Sequence, residues 1–304
     1  MMRPSIEWQD RGEALYFVAD YHALTTLRDP EKLREYSRGI ALDFLACGLD
    51  SKRAILFRQS DIPGVGDLTW ILSTVTPLPM LENAHAYKAQ LARGTAPELG
   101  LFAYPVLMAI DILMYDSDIV PVGRDQKQHV EIARDLAGRF NRTFGETFRL
   151  PEASIVPEVE TIPGLDGEKM SKSYDNTLEL FLPEKALRKK IMGIVTDSTP
   201  FDAPKDPERS TIVQLYRHFA DPGSVAQMET DFRAGGIGYG DFKKRLFDAV
   251  WEYFAPMRER RAGIEADPEM VEAVLRDGAE RARAISGCVV DRVRKAVGLG
   301  PMRP

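Results

Sequence analysis

A chain of 304 residues is long enough to bury a substantial core, as one large domain or two ordinary ones. With 44% hydrophobic and 28% charged residues it is not a disordered chain, and its longest apolar run, Pro105 to Ile110, is broken by Asp111 well short of a membrane span. A net charge of −6 argues against nonspecific coating of nucleic acid but leaves room for a local basic face.

The N-terminus, Met1 to Trp8, has no apolar signal core, and Cys47 and Cys288 stand far apart without a second Cys nearby. A cytoplasmic protein with two buried thiols is expected. Ala14 to Ala19 is a short apolar run ending in Asp20, Tyr21 and His22, the pattern of a strand opening into a polar loop. Asp29 and Pro30 supply an N-cap and first helical residue for an amphipathic stretch ending at Gly48. Arg53 to Arg58 reads as the next buried strand, followed by helices near 68–76, 80–93 and 102–115, a strand over 118–123 and a helix over 125–140. This alternation predicts an α/β fold with a doubly wound parallel sheet, which binds ligands outside the carboxyl ends of its strands. Asp20 to His22 and Gly123 to Asp125 lie at such ends. Beyond residue 176 the segments 183–195, 210–220, 225–233, 242–260 and 268–297 all read as helices between Pro, Gly and Asp punctuation. The expected division is a sheet domain over 1–176 and a helical domain over 177–304, whose last helix packs back on the first.

Four constellations carry chemistry. Lys169-Met170-Ser171-Lys172-Ser173 follows a polar segment with Gly164 and Gly167. Two ammonium groups on long stems in one loop suit the clamping of a triphosphate as charge moves onto a leaving pyrophosphate. Asp111 has Leu107, Met108, Met114 and Tyr115 three and four residues away, so it lies on an apolar helical face. Such an acid is costly unless paired. It is either a helix-cap or interior acid paired with an arginine, or a carboxylate awaiting a donor from substrate, for which an indole N–H is suited. Gly123 to His129 joins a strand to a helix start, a place for anionic or hydroxylated parts of a nucleotide, although a glycine there also serves simply as a turn. His22 faces either the crevice or a structural partner, and His85, His129 and His218 show no metal-ligand spacing.

The lysine string is the signature of class I aminoacyl-tRNA synthetases and their nucleotidyl-transferase relatives. Together with Ala19 to Thr25, Leu107 to Leu113 and Val120 to His129, in this order, it makes the chain resemble the bacterial-type tryptophanyl-tRNA synthetases over essentially its whole length. The resemblance implies a Rossmann-type catalytic domain, a helical domain contacting the anticodon region, and a homodimer using ATP with Mg²⁺, L-tryptophan and tRNA(Trp). It implies that Asp111 binds the indole nitrogen, that Met108, Val120 and Val122 line the side-chain pocket, and that His22 and Gln126 lie near the amino acid. ATP would be held by Gly123, Arg124, Asp125, Ile162 and the loop from Lys169 through Met170, Ser171 and Lys172 to Ser173. Lys169 and Lys172 would stabilise the pyrophosphate. No metal-binding residues are implied, and none of the residues singled out looks like a covalent nucleophile.

One departure from the family pattern stands out. Its members begin with a strand and a Pro-Ser-Gly…Gly-Asn-Tyr type loop, the counterpart of the class I HIGH motif, on the opposite side of ATP from the lysine loop. This sequence starts at Met1-Met2-Arg3-Pro4, which resembles the helix just after that loop. The expectation is therefore a chain that lacks the first strand and first ATP motif, is a poor enzyme as it stands, and begins farther upstream in its natural form. Two rivals follow: a non-catalytic paralogue that keeps the tRNA-binding body, and another adenylylating synthetase such as a tyrosine-specific one. Arg188, Lys189, Lys190, Lys243, Lys244 and Arg245 are candidates for tRNA-facing charge, with a merely solvated helix face as the alternative.

Overall fold

In the computed structural model, residues 5–92, 94, 96–123, 127–155, 162–171 and 174–302 are described. The elements run β1 (Ala14–Val18), α1 (Asp20–Ala23), α2 (Pro30–Ala46), β2 (Ala54–Arg58), α3 (Gly64–Ser73), α4 (Leu78–Glu82), α5 (His85–Ala92), α6 (Leu99–Leu113), β3 (Ile119–Val122), α7 (Lys127–Phe144) and β4 (Glu152–Ile155). Then come α8 (Glu184–Met192), α9 (Thr211–Tyr216), α10 (Pro222–Ala234), α11 (Tyr239–Tyr253), α12 (Ala255–Glu265) and α13 (Pro268–Ala296). The expected cap of α2 is present, with the Asp29 carboxylate accepting from the Glu31 and Lys32 N–H groups.

The chain forms two compact units, Met1–Pro157 with Gly263–Pro304, and Glu158–Ala262. This differs from a single boundary at 176/177 for a physical reason. Ile162, Leu165 and Met170 pack on the core of the helical unit, so the lysine loop belongs to that unit. Helix α13 belongs to the first unit because its stripe of Val271, Leu275, Ala279, Ala282, Val289 and Val293 is buried in that unit's cores.

In the first unit β1 pairs parallel with β2, Leu15 opposite Ile55 and Phe17 opposite Phe57. The second parallel pair joins β3 to β4. The α/β expectation holds, but the described strands make two separate two-stranded ladders instead of one continuous sheet. Pro121 in β3 has no N–H to give a ladder and is typical of strand edges. Strand β2 is the apolar axis of the unit: Ala54, Ile55, Leu56 and Phe57 are all buried, as a parallel strand covered on both faces requires. Helix α13 lies against β2 so closely that a Cβ at Gly278 would stand 1.9 Å from the Leu56 carbonyl oxygen. Arg281 reinforces the contact, its guanidinium donating to the Ser51 carbonyl at 2.8 Å.

In the helical unit Leu187, Ile191, Phe232, Phe242, Leu246 and Phe247 form the core, and Lys205 is buried with its ammonium donating to the carbonyls of Pro200, Phe201 and Ala203. Three local expectations change. The helix over 80–93 breaks at Asn83, whose amide donates to the Pro79 carbonyl (2.9 Å) and closes α4. The helix over 242–260 divides at Phe254 into α11 and α12. Cys47 is half-buried, and Cys288 is exposed on the outer face of α13, so only the first approaches the interior expected of both. Among the described residues no helix is long and apolar enough to cross a membrane.

Two glycines of α13 separate packing from helix propensity. Gly278→Ala should destabilise by about 1–3 kcal/mol because the strand backbone cannot yield, whereas Gly287→Ala, with nothing within 4 Å, should stabilise by up to about 1 kcal/mol. Chemical denaturation of both variants checks this; similar shifts would mean the Gly278 contact is not tight.

Candidate active site

Because β1 and β2 run parallel, their carboxyl ends open on the same side, and the polar residues following them meet there. The Asp20 carboxylate ties the two ends together. It accepts from the Tyr21 N–H and the Ser60 N–H, both at 3.0 Å, and from the Ser60 hydroxyl. Next along the chain from each strand stand His22 and Gln59, and both reach Asp111 on α6. Gln59 Nε2 donates to Asp111 Oδ1 at 2.7 Å and to Oδ2 at 2.9 Å, while Gln59 Oε1 accepts from the Tyr21 N–H at 3.2 Å. His22 Nε2 shares a 2.8 Å hydrogen bond with Asp111 Oδ2.

Asp111 is therefore not an unpartnered carboxylate, and its partner is not an arginine. Burial pushes its carboxyl above the usual range, and the hydrogen bonds from His22 and Gln59 act in the opposite direction. An acid only 6% exposed without such donors would simply neutralise. A carboxylate offers about four acceptor positions. Among the described residues Gln59 and His22 take up three, which leaves one acceptor position for a further donor. The Tyr115 phenol is pushed well up by its own burial and by the Asp111 charge.

A second polar pair flanks this cluster. The Tyr104 ring meets the His22 ring edge-on at 6.2 Å between centroids, and its hydroxyl is 3.2 Å from His129 Nε2. Tyr21 and Tyr104 also line a cavity of about 390 Å³, together with Leu24, Thr25, Val65 and Leu107. Of the remaining expected residues, Met108 is half-buried one turn before Asp111, on the same helical side. Val120 and Val122 are half-buried on one face of β3 while Ile119 and Pro121 face outward, and Gly123 is buried at the strand's end. Arg124, Asp125, Gln126, Lys172 and Ser173 lie outside the described residues. Gln59 and Tyr104 belong to this cluster and to none of the motifs, and His129 enters the sequence reading only as the end of the run from Gly123. For Gln59 a signal existed, since it is the first residue past the carboxyl end of a buried parallel strand.

The lysine loop is built on Asn176, which is 3% exposed. Its side-chain carbonyl accepts from the Ser171 N–H (2.7 Å), its amide donates to Asp166 Oδ1 (2.8 Å) and the Lys169 carbonyl (3.1 Å), and its own carbonyl accepts from the Leu165 N–H (2.9 Å). Gly164 is required beside it, because a Cβ there would fall 2.3 Å from the Asn176 amide. Pro163 bridges antiparallel to Lys169, and the Met170 N–H donates to the Ile162 carbonyl (3.0 Å). Ile162 and Met170 rest on the unit's core while Lys169 is exposed. A hydrogen-bonded backbone thus presents the Lys169 cation to solvent.

The basic residues proposed for tRNA are mostly engaged locally. Arg188 stacks on Phe247 at 3.9 Å, Lys190 pairs with Glu179, Lys244 with Asp241 and Arg245 with Asp231, and Lys243 donates to the Met192 carbonyl. Lys189 is exposed.

With this geometry, relatives sharpen the reading. The family model of class I tRNA synthetases (W and Y) matches residues 1–255. The tryptophan–tRNA ligase of Rhodopirellula baltica is 53% identical over 298 residues, 98% of this chain and 93% of its own, and that of Fusobacterium nucleatum is 44% identical over 98% of this chain and 92% of its own. The crystal structure of tryptophanyl-tRNA synthetase from Campylobacter jejuni, complexed with ADP and tryptophan, superposes with a TM-score of 0.92 at 43% identity, covering 98% of this chain and 93% of that one. The chain belongs to the class I tRNA synthetases, and within them to the tryptophan–tRNA ligase family.

Asn176→Ala should release the lysine loop. The Ser171 amide should lose protection in hydrogen exchange, and the loss of buried side-chain hydrogen bonds should cost about 1–3 kcal/mol. Unchanged protection at Ser171 would show that the loop is held by other contacts.

Proposed function

We infer that the chain activates L-tryptophan with ATP to tryptophanyl-adenylate and transfers the tryptophanyl group to tRNA(Trp). The observation that carries this reading is a buried carboxylate, Asp111, held by Gln59 and His22 with one acceptor position to spare. An indole N–H fills that position, and a side chain without a donor leaves it desolvated and unpaired. In the first step a tryptophan carboxylate oxygen attacks the α-phosphorus, the α–β phosphoanhydride breaks and pyrophosphate leaves. In the second a ribose hydroxyl at the tRNA 3′ end attacks the activated carbonyl and AMP departs.

Met108, Val120 and Val122 line the apolar part of the tryptophan site, with His22 and Gln126 nearer the reacting end. Gly123, Arg124, Asp125, Ile162, Met170, Ser171 and Ser173 serve ATP, and Lys169 and Lys172 meet the charge developing on pyrophosphate. Support for the lysine role comes from the exposure of Lys169 on a backbone fixed by Asn176. Catalysis is then positioning and electrostatics, with binding energy concentrated in the transition state. Mg²⁺ enters with the ATP phosphates. The functional form is a cytoplasmic homodimer. Support for a second copy comes from Trp70, Leu78 and Leu99, which are 72%, 62% and 77% exposed on neighbouring helices α3, α4 and α6.

Asp111→Ala should weaken tryptophan binding roughly ten- to a hundredfold and erode the preference over phenylalanine, since a hydrogen bond to a charged group contributes about 1.5–3 kcal/mol. Calorimetry on the folded variant decides, and an unchanged affinity sinks the assignment. Lys169→Ala should lower kcat for adenylate formation far more than it raises the tryptophan KM. A rise in KM with normal kcat in pre-steady-state measurements contradicts the transition-state role.

A further inference from the structure

We propose that Gln59 is a positioning residue for amino-acid selection: it orients the Asp111 carboxylate so that one acceptor position is left for a donor carried by the substrate side chain. The inference rests on the tryptophan reading above and adds a second residue to its specificity.

The polarity of the Gln59 amide is dictated by its surroundings. Its oxygen meets the Tyr21 N–H, a donor, and its nitrogen meets both oxygens of a carboxylate, which only accepts. Turned over, the amide would oppose N–H to N–H and oxygen to carboxylate, so one orientation is enforced. The residue is 1% exposed and follows β2 directly, and the Leu56 backbone of that strand is wedged against Gly278. One amide therefore locks the end of β2 and the turn carrying His22 to the carboxylate on α6.

Glutamine is suited to this task because it is neutral. An arginine would satisfy the carboxylate bidentately and cancel its charge, leaving a weaker acceptor for the substrate. Gln59 supplies a donor without adding a positive charge of its own, so it does not itself cancel the carboxylate's attraction for an incoming N–H. Among the described residues the charged and titratable groups bearing on Asp111 are His22 and Asp20 from the turn after β1 and Tyr115 just beyond its own helix.

Two substitutions test the idea with direct binding of tryptophan and of β-(benzothiophen-3-yl)alanine, in which sulfur replaces the indole N–H. The chain as it stands should prefer tryptophan. Gln59→Met, of similar size but without a donor, should weaken tryptophan binding about tenfold or more and narrow that preference at every pH. Gln59→Glu puts two carboxyl groups within hydrogen-bonding distance, which raises the pKa of the pair. The one-proton form, whose O–H replaces the amide donor, is present below that raised pKa and lost above it. Tryptophan affinity of Q59E should therefore be poor near pH 8.5 and recover as the pH falls towards 6. The unsubstituted chain, titrated in parallel, reports any common contribution from His22.

Melting temperatures establish that each variant is folded, and if Q59E does not fold, the selectivity of Q59M decides. An undiminished preference for tryptophan in Q59M, or a pH-independent loss in Q59E, overturns the positioning role. Failure of the unsubstituted chain to bind tryptophan overturns instead the functional reading on which it rests.

Discussion

A carboxylate removed from water must be given hydrogen bonds by the protein, and much of the first unit is arranged around that requirement at Asp111. Helix α6 is apolar along most of its length, so it can bury its acid only where another element brings donors. Those donors come from the ends of β1 and β2. Parallel pairing puts the two ends on one side, Asp20 fastens them through Ser60 and Tyr21, and the residues that follow, His22 and Gln59, arrive in register with the acid. The α13 helix closes the far side of β2 through Gly278. Packing at a glycine remote in sequence is thus connected, through a strand and an amide, to the group that would read the substrate.

The lysine loop meets a different demand by a related device. In the proposed role its cations have to stay solvated and able to move onto phosphoryl oxygens, which buried partners would prevent. What is held instead is the backbone. Asn176 collects a donor from Ser171 and gives donors to Lys169 and Asp166, and Gly164 clears the space for it. The exposed Lys169 ammonium begins from a fixed main chain, which limits the conformational entropy lost when it engages an anion to that of its own stem.

How much could be read in advance follows from how local each signal was. The lysine string, the Asp29-Pro30 cap, the apolar β1 and β2 runs and the anomaly of Asp111 are contiguous or periodic features, and each corresponds to what the fold contains. Strand β4 is not legible in advance, because Glu152-Ala153-Ser154-Ile155 alternates over only four residues and with a single large apolar side chain; it is a strand because β3 lies beside it. That the last helix packs back on the sheet domain is expected from the sequence, but the surfaces it covers, on β2, α3 and α2, are non-local information. The local partners of a charge are equally invisible in one dimension: Arg188, Lys190 and Arg245 are engaged by Phe247, Glu179 and Asp231.

Gln59 is the sharpest instance of information that the sequence holds but does not display. As one glutamine in Phe57-Arg58-Gln59-Ser60-Asp61 it carries no periodicity, charge or motif. Its meaning arises from being simultaneously next to a buried strand end, opposite a backbone N–H of known polarity and against the one acid on an apolar helix. The anomaly of Asp111 could have pointed to it, since a buried carboxylate obliges some neutral or cationic donor to exist nearby. The sequence offered many arginines for that role, and a cation would have been the cheaper way to stabilise the folded chain. A neutral donor leaves the acid with charge and acceptor capacity in reserve, an arrangement with little advantage for folding alone and a clear one for holding a ligand's N–H.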